Sequence, residues 1–286
     1  MSFGFGTEFV SVLNPPQDLI KDWDHTKRHD QQTSTTVPPV FRDALAVREE
    51  VFVNEQGVPL EVEVDEDDKR SWHWVVKASV ATISPPSEQP NPIDDTDSRK
   101  DTKEEGERRA SATASQVPVA TIRLIPPPHG PNPYKNESVG DKHPDADPPA
   151  EIQATVERKH PTEPYIKLGR LATLKAYRGL GLSGLLIRTA LDYAAKHPTI
   201  IVPAPSPTTV EQAKAVGKDE DAFTWKGLIM IHAQVAVERM WARHGFVEEL
   251  INEKGEVEIS KEDRWFEEGI EHLAMWKRIT VVQPTL

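Results

Sequence analysis

Residues 168–196 read LGRLATLKAYRGLGLSGLLIRTALDYAAK, and the periodicity changes halfway along. The first part, with the residues just before it (YIKLGRLATL), has the apolar and β-branched character of a strand. The second part, LSGLLIRTALDYAAK, sets Leu182, Leu185, Leu186, Ala190 and Tyr193 on one face of a helix. Between them stands Arg178, followed by Gly179, Gly181 and Gly184 in the spacing GxGxxG. Glycine tolerates positive φ and lets a bulky group approach the free N–H groups at a helix start. A strand, a glycine turn and a helix in that order predict an α/β architecture.

The ligand of such a turn is decided by its surroundings. A dinucleotide site needs an acidic residue about twenty positions further on to hold the ribose. Here that region is VPAPSP, and no second βαβ half follows. From residue 164 to 191 there is no Asp or Glu, while Lys167, Arg170, Lys175, Arg178 and Arg188 all fall there. In a chain of net charge -12 that stretch is unusual. It suits a phosphate-bearing anion at the helix amino terminus. A tight strand-to-helix turn beside a solvated basic face is the plainer alternative.

The 286 residues include 25 prolines, concentrated in segments that read as insertions at about 84–116, 126–164 and 203–226. These segments are too poor in large apolar residues to repay their own ordering. A short helix is expected near AEIQATVERKH in the second. Without them the chain reads as a single domain. FRDALAVREEVFVNEQ is a helix, HWVVKASVATI and PVATIRLI form a hairpin with an oversized loop, and GLIMIHAQ is a buried strand. VAVERMWARHG is a helix closed by Gly245, and FVEEL and EHLAMWKRI are closing strands. The fold class is α/β (α+β mixed), a mixed sheet with helices on its faces. The acidic balance argues against a nucleic-acid surface. With no cysteine, neither a disulfide framework nor a cysteine zinc site is available. No His/Asp/Glu grouping has metal-site spacing, so no metal is expected. No leader or membrane-spanning run is read, which predicts a cytoplasmic protein, with the nucleus left open.

ATLKAYRGLGLSGLL resembles the acetyl-CoA signature Q/R-x-x-G-x-G/A of the GCN5-related N-acetyltransferase (GNAT) superfamily, falling on Arg178, Gly181 and Ser183. Ser183 departs from the Gly or Ala expected, though it is small enough to leave its N–H accessible. VREEVFVNEQGVP, EVEVDEDD and WHWVV are similar to the front of a subgroup with a VFVxEQ motif, and the chain looks like a fungal member of it. HAQVAVERMWARHGF and WFEEGIEHLAM are similar to its later helix and last strands. The resemblance implies a central sheet of about seven strands, splayed so that coenzyme A enters the gap. Leu171, Ala172 and Thr173 would bond the pantetheine arm. Arg178, Gly179, Gly181, Ser183 and Gly184 would face the pyrophosphate, and Gln234 would contact pantetheine or substrate.

Direct acetyl transfer to a primary amine needs a base, because such an amine has a pKa near about 10. The resemblance places Glu55, Glu61, Glu63, Asp65, Asp67 and Asp68 at the acceptor cleft. Glu61, Glu63 and Asp65 would share one face if extended, and most of the run also reads as a solvated loop. The run offers no unique base; Glu63 is the catalytic candidate taken from it, and His232 is either a proton relay or a buried structural histidine. His73 and His272 sit at family positions, either structural or functional. The tyrosine that relatives use to protonate the departing thiolate is replaced by Trp241, whose indole is not a usable acid. The expected activity is N-acetylation of a small cationic amine, such as an amino sugar or polyamine. Acetylation of protein lysines or N-termini, or coenzyme A binding without catalysis, are the alternatives. A homodimer is compatible with the resemblance; no membrane partner is expected.

Overall fold

The computed structural model describes residues 9–81, 114–130, 132, 134, 159–203, 206, 208, 211 and 224–282. Helix α1, Pro39–Arg48, starts on Pro39, where a missing N–H costs nothing. It runs on through a wider π-helical segment, Glu49–Glu55, so the expected helix is present but changes pitch. Strands β2 (Trp72–Ala81) and β3 (Ala114–Ile125) form the expected antiparallel hairpin, paired from Trp72↔Leu124 to Ala81↔Ala114 with a register shift between Val76 and Lys77. The expected insertions lie largely outside the described residues, as does the short helix near AEIQATVERKH. Helix α2, Leu182–Lys196, follows β4, Ile166–Thr173, as the periodicity predicts.

Together with β1 (Val10–Leu13), β5 (Leu228–Gln234), β8 (Trp265–Glu267) and β9 (Ile270–Arg278), these strands form one seven-stranded sheet in the order β1-β2-β3-β4-β5-β9-β8. The sheet is mixed: only β4 and β5 run parallel, linked by α2. Leu186, Ile187, Ala190 and Ala194 of α2 pack on Trp72, Trp74, Ile122, Leu124, Ile166, Leu168, Ile229 and Ile231. On the other face, α1 buries Phe41, Ala44 and Leu45 with Trp23, Val64 and Val75. Alternation along each strand divides the two cores. FVEEL does not form a strand of the main sheet. Val247 makes a lone bridge to Trp276, and Leu250–Ile251 (β6) pairs with Val257–Ile259 (β7) as a separate ribbon. The helix after β5 is also shorter than expected, α3 being only Glu238–Ala242 after a 3-10 turn at Val235–Val237. Among the described residues, no helix is long and apolar enough to cross a membrane.

The middle of the sheet opens. β4 and β5 pair at Ile166↔Ile229, Lys167↔Met230 and Leu168↔Ile231, and no further. β4 nevertheless continues to Thr173 and β5 to Gln234. At the opening, Arg170 sits at φ 50° and the β3–β4 register shifts between Thr121↔Ala172 and Arg123↔Gly169. That bulge bends β4 away from its neighbour. Leu171, Ala172 and Thr173 therefore keep β3 on one side and have no strand on the other.

A candidate acyl-CoA site at the opened centre of the sheet

The glycine turn lies at the end of this open edge. A 3-10 turn, Lys175–Tyr177, leads into Arg178. Gly179 and Gly181 have φ of 82° and 77°, and a side chain on either would meet open space. Backbone conformation, not crowding, thus requires glycine here. Gly181 caps α2 with no side-chain bond. Among the described residues, the N–H groups of Gly179, Leu180, Gly181, Leu182, Ser183 and Gly184 find no acceptor. A run of unpaired donors at a helix start attracts an anion, helped by the helix dipole.

Arg178 is less free than its position suggests. Its Nε donates to the Thr173 carbonyl at 3.0 Å and its Nη2 to Glu55 at 2.7 Å. It therefore clamps the end of the π-helical segment to the end of β4. Beside it, Gln56 and Gln234 exchange amide hydrogen bonds of 2.9 and 3.3 Å, joining the front segment to the last residue of β5. Sequence reasoning missed Gln56, because nothing local marks a residue whose partner lies 178 positions away.

The acidic run differs most from expectation. Leu60–Val62 is a 3-10 turn, so Glu61, Glu63 and Asp65 share no extended face. Glu63 is 1% exposed and accepts a 2.5 Å bond from Arg48 Nε. Arg48 also holds Asp68 at 2.7 Å, and Arg123 reaches Asp65 at 2.7 Å and Asp68 at 2.9 Å. Arg170, aimed here by the bulge, adds a 3.1 Å contact to Asp65. The three carboxylates meet three guanidinium groups, which corrects the picture of a solvated acidic loop. Burial pushes the Asp68 carboxyl up, but Arg123 and Arg48 hold it well below the usual carboxylate range. Arg170 and Lys167 belong to this side of β4, so they do not surround the turn as the linear charge pattern suggested.

His73 is buried under α1, its Nε2 3.0 Å from the Asp68 carbonyl and its ring edge-on to Phe41. Burial lowers its pKa to about 4, so it is a neutral structural residue at pH 7. His232 is half-buried on β5, on the face away from α2, with its ring 4.8 Å from that of Trp265. His272 stacks on the same indole, and its Nδ1 lies 2.8 Å from the Ile270 carbonyl. Trp241 is 4% exposed and packs edge-on against Phe246 as a core residue. A cavity of about 360 Å³ opens between Lys159, Glu163, Leu228 and Ile259. Leu228 begins β5, so this cavity is at the opposite strand end from Gln234 and is not the site. Among the described residues, no group of His, Cys, Asp and Glu could hold a metal ion.

A scan against protein-family models finds no match, and neither does a search of curated proteins. Several solved structures are similar in fold. An acyl-CoA N-acyltransferase from Pseudomonas aeruginosa is 18% identical, with 88% of this chain and 95% of that chain covered and a TM-score of 0.37. Escherichia coli ElaA is 14% identical at the same coverages, with a TM-score of 0.38. The CoA-dependent acyl-homoserine lactone synthase BjaI, with SAM and isopentyl-CoA, is 12% identical over 94% of this chain and 82% of its own, with a TM-score of 0.40.

Proposed function

We propose that the chain is an acyl-CoA-dependent N-acyltransferase, transferring acetyl from acetyl-CoA directly to a primary amine. The observation that carries this reading is the juxtaposition of two unsatisfied backbone surfaces. The uncapped N–H groups from Gly179 to Gly184 suit a pyrophosphate. The β4 edge at Leu171, Ala172 and Thr173, which β5 does not cover and where the Thr173 carbonyl accepts from Arg178, suits the amides of a pantetheine arm, which can pair as another strand does. One ligand carries both groups at once. Gln234, at the far lip of the opening, supplies an amide to the arm or to the acceptor once its bond to Gln56 is exchanged.

The acceptor would enter on the face of β4 and β5 away from α2. There His232 is the group we assign to relay the amine proton, since an imidazole can accept a proton at one nitrogen and donate from the other. Glu63 is committed to Arg48, and freeing it to act as a base would strand a buried guanidinium. Its contribution is to hold the Arg48–Asp68–Arg123 framework on which Arg170 and the β4 bulge rest. A thiol of pKa about 8.5 leaves as thiolate without a dedicated acid, so a tryptophan at position 241 does not forbid turnover. The neutralised front segment does not select a cation. Glu267 and Glu268, in the β8–β9 turn near Tyr134, are better placed to attract a small cationic amine.

Incubation with acetyl-CoA and a panel of amino sugars, polyamines and lysine peptides, following free thiol, tests this reading. Release with small amines and not with peptides supports it. Release with peptides alone would favour a protein acetyltransferase. Tight coenzyme A binding with no thiol release from any acceptor would mean a binding protein.

A further inference from the structure

We propose that Arg188, Arg243, His244 and Lys277 form a binding site for the 3′-phosphate of coenzyme A, an assignment that rests on the reading of the glycine turn given above. Coenzyme A carries three phosphoryl groups. The pyrophosphate accounts for two, and the third is on the ribose next to it. The structure offers a second positive site one helical turn from the first. Arg188 follows Gly184 by four residues, so it is about 6 Å further along α2 on the same side of the helix.

Arg188 and His244 converge because Gly184 has no side chain of its own. A Cβ there would lie 3.2 Å from Arg188 Nη1 and 3.4 Å from the His244 ring. The same glycine therefore offers an N–H to the turn and lets α2 pack against the chain after α3. Lys277, from β9, completes the group: its Nζ donates to the His244 carbonyl and lies 5.9 Å from the Phe246 ring centre. Gly245 leaves room for that ammonium, since a Cβ there would come within 2.9 Å of it.

Among the described residues, no carboxylate answers these charges. Among the described residues, Arg188, Arg243 and Lys277 form no ion pair, and Asp192, a turn beyond Arg188, does not bridge to it. Elsewhere the molecule sets its buried arginines against carboxylates, as Arg48 and Arg123 show. The His244 pKa is lowered, first by burial and then by Arg188, Lys277 and Arg243, so the imidazole senses positive neighbours only. In a chain of net charge -12, an unanswered cationic group beside a row of free N–H donors is suited to a further phosphate.

The test compares coenzyme A with 3′-dephospho-coenzyme A by calorimetric titration of the wild type, Arg188→Gln, Arg243→Gln and Lys277→Met. Arg188 and Arg243 are exposed, so their substitution leaves the core intact should Lys277→Met fail to fold. The wild type should prefer coenzyme A by about tenfold or more, the size of one charge-assisted contact. Arg188→Gln should remove most of that preference while changing 3′-dephospho-coenzyme A affinity by less than about twofold. Equal wild-type affinity for the two ligands, or equal losses of both on substitution, would overturn the assignment and leave the pyrophosphate turn standing. Failure of the wild type to bind either ligand would overturn both.

Discussion

The front segment, residues 55–68, and the glycine turn, residues 178–184, are the two most conspicuous charge features of the sequence, and the structure treats them oppositely. In the front segment, Glu63, Asp65 and Asp68 look like an open acidic surface, yet all three are held by Arg48, Arg123 and Arg170. In the turn, Gly179–Gly184 offers backbone donors with no acceptor. A buried charge must be paired or it is not tolerated, so a satisfied cluster reports on folding. Donors left unpaired at an exposed helix end cost little and stay open to an anion. What separates scaffold from site here is satisfaction, not charge.

The contrast can be broken most forcefully at the scaffold. Asp68→Ala should cost about 3–5 kcal/mol in chemical denaturation, because Arg48 and Arg123 lose a buried partner together. A loss under about 1 kcal/mol would mean that the cluster is wetter than it looks. Trp241→Ala should cost a similar amount, about 3–5 kcal/mol, by leaving a cavity against Phe246. Trp241→Tyr should remain folded and active, and loss of thiol release in that variant would show that the indole itself is needed.

Acid should weaken the same scaffold in two stages. The folded pKa of His73 lies near 4, below its unfolded value of 6.5, so the unfolded chain takes up more protons between those values. Stability is then full above pH about 6.5 and falls by up to about 3 kcal/mol toward pH 4. His129, also lowered to about 4 by burial, adds to the same window. Below it, protonation of Asp68, depressed by Arg123 and Arg48, removes a further part. His73→Leu should flatten the first stage; an unchanged slope would place the titration elsewhere.

The turn should show the reverse, with small stability effects and large binding effects. Gly181→Ala forces a side chain into positive φ and should cost about 1–2 kcal/mol of stability, while coenzyme A affinity falls by more than about tenfold. Arg178→Glu breaks an exposed pair with Glu55, worth under about 1 kcal/mol, and one exposed hydrogen bond to the Thr173 carbonyl. It should weaken coenzyme A and 3′-dephospho-coenzyme A alike and leave pantetheine unaffected. Equal losses for pantetheine would locate the anion elsewhere.

Most of the architecture was legible in the sequence. Helix α2 and strands β2 to β5 and β9 announce themselves through spacing that a local window can read. The π-helical extension of α1, the separate β6–β7 ribbon and the short edge strands were not legible, because distant contacts decide them. Trp241 was recognisable as a replacement, but only packing against Phe246 defines it as core. Lys167 and Arg170 were misjudged for a related reason. They are near Arg178 in sequence, but strand alternation and the β4 bulge place them on the side of β4 facing the front segment.

The sequence by itself determined that a glycine turn with positive φ would join a strand to an amphipathic helix, because backbone freedom and side-chain period are local properties. It also determined that the surroundings of this turn would contain no acid in the same segment. Only the tertiary structure decided which charges are neutralised, since Glu63 meets Arg48 and Asp65 meets Arg123 across the fold. It alone decided that β4 and β5 part after Leu168, and that Arg188 and His244 meet beside Gly184 with Lys277 on the His244 carbonyl. Hydrogen bonds and ion pairs act over a few ångströms in space, and linear order says little about which groups come that close.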